Sequence, residues 1–294
     1  MTYKNILLTI TPIFISINLI FNTNHLKYLI TTLFLFCISH AFPQDSAILK
    51  GPAATATGNT TLNPEWAVIN NPAALFEFKS MACFAGYENK LGLNELNNLA
   101  AGLIYPTSFG TGGIYLGRFG GQLFNISRMA ISFAHGIGKF NLGTRINLIQ
   151  IQIDQLGSHK TFSIDFGGLA RVNNKISFGA FVSNLNQARY SRESHEKVPT
   201  TMAVGIGIKP MEKLQLSFEV EKADDTKPNY KPGLEYYIIK NLALRTGVSF
   251  YPFQQAFGIG FQPKKFSFDY AITNHNYLGF SHQISLSMNL KKKI

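Results

Sequence analysis

The chain has 294 residues with 27 Lys and Arg against 16 Asp and Glu, a net charge of +11, and 13% aromatic residues. After residue 45 no segment is long and apolar enough to cross a bilayer as a helix, so any crossing there must be made by strands. The positive residues are spread over expected turns (Lys175, Lys209, Lys213, Lys240, Lys264, Lys265) and the tail Lys291 to Lys293. Without a basic helix or an aromatic-rich strip, that distribution argues against a nucleic-acid partner and for a solvated rim facing anionic lipid.

In chain order, two apolar runs come first, Ile6 to Phe21 and Tyr28 to Phe42. The second is preceded by His25 and Lys27 and carries Ser39 and Ala41 at the spacing of a cleavage site, so residues 1–44 are expected to be a secretory signal peptide, with Met1 to Asn24 upstream of the true start. The alternatives are a two-pass anchor and, with Phe36 against it, a lipoprotein at Cys37. Removing this segment, which holds Lys4 and Lys27 and no acid, leaves 11 − 2 = +9 and Cys83 as the one remaining cysteine, so no internal disulfide can form.

Residues 45–79 are rich in Gly, Ala, Thr, Asn and Pro and do not alternate. Trp66, Val68, Ile69, Leu75 and Phe76 need burial, which argues against a disordered tail and for a hatch folded into a barrel lumen too wide for side chains alone to fill. Asn70, Asn71, Pro72 and Ala73 are the expected hatch turn, because Pro fixes φ and Asn side chains bond local backbone.

From residue 80 to 294 the pattern changes to period two. Leu214, Leu216, Phe218 and Val220 interleave with Lys213, Gln215, Ser217, Glu219 and Glu221, and the same dyad returns around Phe266 to Ile272 and Ile284 to Leu290. Strands are expected near 80–90, 96–106, 109–118, 127–138, 141–153, 160–172, 175–186, 199–209, 212–222, 230–239, 242–251, 254–262, 265–273 and 278–290. That makes about fourteen, an even number, as a closed single-chain barrel requires. Alternation alone would also suit a β-sandwich. The connections decide: tight ones alternate along the chain with longer, more polar ones such as 118–126, 154–159 and 187–199, the exception being the short one at 251–253. A short-turn rim and a long-loop rim produce that alternation, so the fold class expected is an all-β transmembrane antiparallel barrel in an outer membrane, in contact with its lipid and lipopolysaccharide.

No nucleophile elbow, His-Glu-x-x-His pair or phosphate loop is present, and the histidines are scattered, so neither an enzyme, a metal site nor a cofactor is expected. The chemistry-bearing residues are those on the inward face: Glu235 and Arg245, on neighbouring strands and able to pair, with Glu219, Glu221, Asp269, Arg145 and Asp165, charges that would brace the hatch and the wall or, alternatively, line a gated path. The segment Ser191 to Lys197, carrying Arg192, Glu193, His195, Glu196 and Lys197, is the candidate partner loop.

Gly51 to Asn59, followed by Glu65, Trp66, Ala67, Val68, Ile69, Asn70, Asn71, Pro72, Ala73, Ala74 and Leu75, resembles the N-terminal hatch of FadL-like barrels and their PorV/PorQ relatives. Gly233 to Tyr237 with Asn241 to Gly247, and Asp269 to Ala271 with Leu278 to Leu286, are similar to late hairpins of the PorV type. The resemblance implies a fourteen-stranded barrel with an inserted hatch. It also implies one of two functions: an accessory of type IX secretion, with secretion components as partners, or, alternatively, a FadL-like passive channel for fatty acids or aromatics.

Overall fold

The computed structural model describes residues 48–62, 66–190, 197–224, 226–276 and 278–290, so the expected signal segment, Cys37 and the lysine tail lie outside the described residues. Fourteen strands follow one another: β1 (Met81–Asn89), β2 (Asn97–Pro106), β3 (Thr111–Gly120), β4 (Phe124–Ile137), β5 (Phe140–Ile153), β6 (Gly157–Arg171), β7 (Ile176–Val182), β8 (Thr201–Met211), β9 (Leu214–Ala223), β10 (Asn229–Ile239), β11 (Leu242–Phe250), β12 (Phe253–Phe261), β13 (Phe266–His275) and β14 (Gly279–Leu290). Each pairs antiparallel with its chain neighbours, and β14 returns to β1 from Met81↔Leu290 to Asn89↔His282, which closes the barrel. Closure removes every sheet edge, the condition for strands to sit in hydrocarbon.

The dyad has the sense expected of a membrane barrel. Leu99, Leu116, Ile131, Ile146, Phe257 and Leu286 point outward at 55–61% exposure, while Arg145, Asp165, Glu219, Arg245 and Asp269 point inward and are buried. Toward the long-loop rim the outer face changes character along a line. Leu116, Met129, Leu148 and Phe162 lie opposite one another across β3–β6, and the row above them is Arg118, Ser127, Gln150 and Lys160. Apolar side chains give way to polar ones there, where the wall emerges from the bilayer.

That line corrects the loop expectations. Residues 118–126 and 154–159, expected as long polar loops, are mostly strand: β3 reaches Gly120, β4 starts at Phe124, and β5 and β6 run to Ile153 and from Gly157. Their polar residues belong to a wall that stands above the membrane. β7, expected to reach 186, stops at Val182. There Asn184 takes a positive φ of 53° and its amide donates to Asp165 Oδ1 at 2.8 Å, which turns the chain inward.

Residues 48–62 and 66–78 lie inside the barrel. A short helix, α1 (Pro52–Thr57), packs on β10–β14, and a 3-10 segment, Pro72–Glu77, packs on β3–β6. Leu49, Trp66, Val68, Ile69 and Leu75 are buried in one cluster with the inward Phe84, Ile104 and Tyr115, the Trp66 and Phe84 rings 4.7 Å apart. Inward wall positions are small where the segment comes closest: a Cβ on Gly167 would collide with Asn71 Oδ1, and one on Gly233 with the carbonyl of Thr57.

Candidate functional site in the barrel lumen

The expected hatch turn is fixed by both local and wall contacts. Asn71 caps the 3-10 segment by accepting from the Ala73 amide at 3.1 Å, with Pro72 at its first position. Its Nδ2 donates to Thr61 O at 2.8 Å and reaches the carbonyls of Gly168 at 3.2 Å and Ala180 at 3.3 Å on β6 and β7. Asn70 Nδ2 donates to Lys50 O at 2.8 Å, joining the two ends of the inserted segment. Asn70, Asn71, Pro72 and Ala73 are all buried.

The expected lumen charges form three groups, each gripping or flanking the inserted segment. In the first, Arg145 pairs with Asp165 at 2.6 Å and donates to the carbonyls of Val68, at 3.0 Å, and Ile69. Asn147 Nδ2 and the Asn184 amide complete Asp165 at 2.7 and 2.8 Å. In the second, the fully buried Glu219 accepts from the amides of Thr60 and Thr61, both at 2.8 Å, and from Thr60 Oγ1 at 2.7 Å. Beside it Glu221 pairs with Lys231 at 2.9 Å and Lys50 at 3.2 Å. In the third, Arg245 bridges Glu235 at 2.6 Å and Asp269.

Lys231 was missed in the sequence, although it stands two residues before Gly233 and four before Glu235 on the inward face of β10 and pairs in register with Glu219. Counting parity back from Glu235 would have found it. Of the candidate partner loop, Arg192, Glu193, His195 and Glu196 lie outside the described residues, and Lys197 forms an isolated antiparallel bridge with Arg189.

Two further features belong to the site. Above the membrane line the alternation continues but the polarity of the faces exchanges: Phe119, Ile126 and Ile149, on the same inward parity as Tyr115, Ala130 and Arg145, pack with Leu96, Phe124 and Ile151 against Ala188, Tyr190 and Val198 of the β7–β8 connection. This packed apolar cluster sits at the long-loop mouth. Below it a cavity of about 50 Å³ is lined by Arg145, Asp165, Ser163, Asn184, Phe181 and Thr201 among others. Next to that cavity the wall is interrupted, because β6 continues past the end of β7. Leu185 and Asn186 close the interruption, with the Leu185 amide on Ile164 O at 2.8 Å, Asn186 Oδ1 accepting from Ile164 N at 2.9 Å and Nδ2 donating to Phe162 O at 3.0 Å.

No protein-family model matches the chain, and no curated protein matches it. Solved structures do. The toluene transporter TodX of Pseudomonas putida superposes with a TM-score of 0.67 at 10% identity, over 82% of this chain and 99% of that one. The CymD monoaromatic hydrocarbon channel gives 0.65 at 11% over 84% and 99%. A FadL homologue of Pseudomonas aeruginosa gives 0.59 at 10% over 82% and 98%. The barrel has the fold of these channels. This likeness reaches the FadL-like part of the expected resemblance and leaves its PorV/PorQ part without support.

Proposed function

We propose that the protein is an outer-membrane channel for small apolar molecules, closed in this structure by its N-terminal segment. The observation that carries the reading is the wall interruption where β6 continues past the end of β7, closed by Leu185 and Asn186 and set directly below the packed apolar cluster of Phe119, Ile126, Ile149 and Tyr190 at the long-loop mouth. A hydrophobic molecule that inserts among these side chains gains by leaving water, at roughly 25 cal/mol per Å² of apolar surface buried. It would then meet the charged group of Arg145 and Asp165, which a hydrocarbon cannot traverse without leaving ions unpaired. The sideways route past Leu185 and Asn186 avoids that cost, since only a few hydrogen bonds hold it shut. The residues of the inserted segment act as the floor, held by Asn71, Glu219 and Arg145. The hydrocarbon-channel fold supports this reading over the secretion-accessory one, whose expected partner loop lies mostly outside the described residues.

The test is uptake of radiolabelled toluene by cells lacking the gene, complemented with the wild type or with Ile164→Cys/Leu185→Cys, which pins the closing segment to β6 when oxidised. Wild-type complementation should raise uptake, and the oxidised pair should lose that gain and regain it on reduction. Uptake that ignores complementation would sink the channel reading, and unchanged uptake through the oxidised pair would sink the lateral route.

A further inference from the structure

At the short-turn mouth, on the lumen side of the wall, lies a cavity of about 630 Å³ lined by Lys139, Arg171, Lys175 and Lys209, with Ser177 and Gln215. Arg171, Ser177 and Gln215 have the inward parity of Asp165, Gly179 and Glu219 on their strands, and Lys139 and Lys175 come from the turns beside them. Backbone bonds set the cations on neighbouring segments: the Arg171 amide donates to Lys139 O at 3.0 Å and the Lys209 amide to Lys175 O at 2.8 Å. The inserted segment borders the cavity, with Glu77 Oε1 accepting from Arg171 Nε at 2.6 Å and Leu62 lying against the lining residue Gly207.

Its charge is unmatched in a way that other lumen cations are not. Lys50, Arg145, Lys231 and Arg245 each reach a carboxylate, and Arg171 reaches Glu77. Lys139 Nζ donates to the Val172 carbonyl at 3.3 Å, and among the described residues no carboxylate lies within ion-pair distance of Lys139, Lys175 or Lys209 and no acidic side chain lines the cavity. Three positive charges left over in one concavity reinforce one another, and the low-dielectric walls focus their field on whatever enters.

We propose that this cavity binds a small, multiply charged anion of the phosphate class, entering from the short-turn side of the membrane. Its volume falls within the range of small-molecule pockets, whereas a protein partner would need a broad face. The cations stand on four neighbouring chain segments, each about 5 Å from the next, so an anion with one charge answers few of them and one with several answers more. Lysine ammoniums act as mobile point charges and suit phosphate oxygens. The site is remote from the lateral route at Leu185 and Asn186 and does not depend on whether the barrel carries hydrocarbons.

The experiment is isothermal titration calorimetry of the full-length protein in a maltoside detergent and phosphate-free buffer, titrated with pyrophosphate, inorganic phosphate or acetate. Salt is held at about 0.1 M, where the Debye length of about 10 Å screens charges outside the cavity. Pyrophosphate should bind more tightly than phosphate, and phosphate more tightly than acetate. Lys139→Gln/Lys175→Gln/Lys209→Gln should weaken pyrophosphate binding roughly ten- to a hundredfold, at about two- to fivefold for each exposed lysine. Lys240→Gln/Lys264→Gln/Lys265→Gln removes the same charge from short turns that do not line the cavity and should weaken it far less. All six lysines are exposed, so both variants should keep the heat-modifiable mobility of the folded barrel in gels. No binding of pyrophosphate, or acetate bound as tightly, would overturn the proposal. So would undiminished binding by the first triple variant, or an equal loss from both, which would mark a diffuse rim charge.

Discussion

Replacing Glu219 tests whether the lumen charges hold the inserted segment in place. Its carboxylate is fully buried; Oε2 receives the amides of Thr60 and Thr61 at 2.8 Å and Oε1 the Thr60 hydroxyl at 2.7 Å. Glu219→Leu orphans two buried amides, each costing about 1–3 kcal/mol, for a total near 2–6 kcal/mol. Glu219→Gln has nearly the same shape. Its carbonyl can take the place of Oε2 and its amide can donate to the Thr60 hydroxyl, so what is lost is chiefly the charge assistance, on the order of 1–2 kcal/mol. Neither change touches the β8–β9 and β9–β10 ladders, so the barrel should fold and keep its heat-modifiable mobility in gels while the segment loosens. Single-channel conductance and limited proteolysis of residues 48–79 in detergent both read that loosening. The expected order is wild type, then Gln, then Leu, with long open events only in Leu. Equal behaviour of Gln and Leu would refute the hydrogen-bond accounting, and a Leu variant as closed and protease-resistant as wild type would refute the gripping role.

Three further outcomes follow from the same geometry. Arg145→Met should destabilise by about 3–5 kcal/mol, because it leaves Asp165 buried without its cation, and Arg145→Met/Asp165→Leu should recover part of that loss. A urea double-variant cycle measures the coupling, and additive losses would count against it. Gly167→Ala should raise conductance, since the new methyl strikes Asn71 Oδ1, whereas Gly168→Ala, whose nearest neighbour would be Leu142 Cδ2 at 4.0 Å, should be silent. Asn184→Gly keeps the positive φ but removes the bonds to Val198 O at 2.6 Å and from the Ala188 amide at 2.8 Å. Hydrogen exchange at Ala188 and Val198 should then quicken by about one to two orders of magnitude, for about 1–3 kcal/mol lost; unchanged exchange would place the stability of this connection elsewhere.

The strands could be read from sequence because a lipid-facing wall imposes one rule along its whole length, apolar out, and residues such as Leu216, Phe218, Leu244 and Leu286 obey it without exception for the core behind them. Where the wall leaves the lipid the rule lapses, and there the reading failed. Gly157, Ser158 and His159, expected as loop, sit in β6 and pair with Ile153, Gln152 and Ile151 across the ladder. Ile149 and Ile151 keep the inward parity of Arg145 and Asn147, but the apolar cluster they join is completed by the β7–β8 connection, which β5 alone does not reveal. The lumen charges were recognisable as inward-facing, but their grouping was not, because each group is organised by backbone of the inserted segment: the Val68 and Ile69 carbonyls for Arg145, the Thr60 and Thr61 amides for Glu219. Those contacts join residues 77 and 159 positions apart, and no local pattern encodes them. The inserted segment is therefore more than a filler. Its irregular backbone supplies the donors and acceptors that let an inward charge such as Glu219 be buried at all, and the wall charges in return satisfy a backbone that forms no sheet. Each is costly without the other, so loosening the segment should expose charge and widen the lumen in one step.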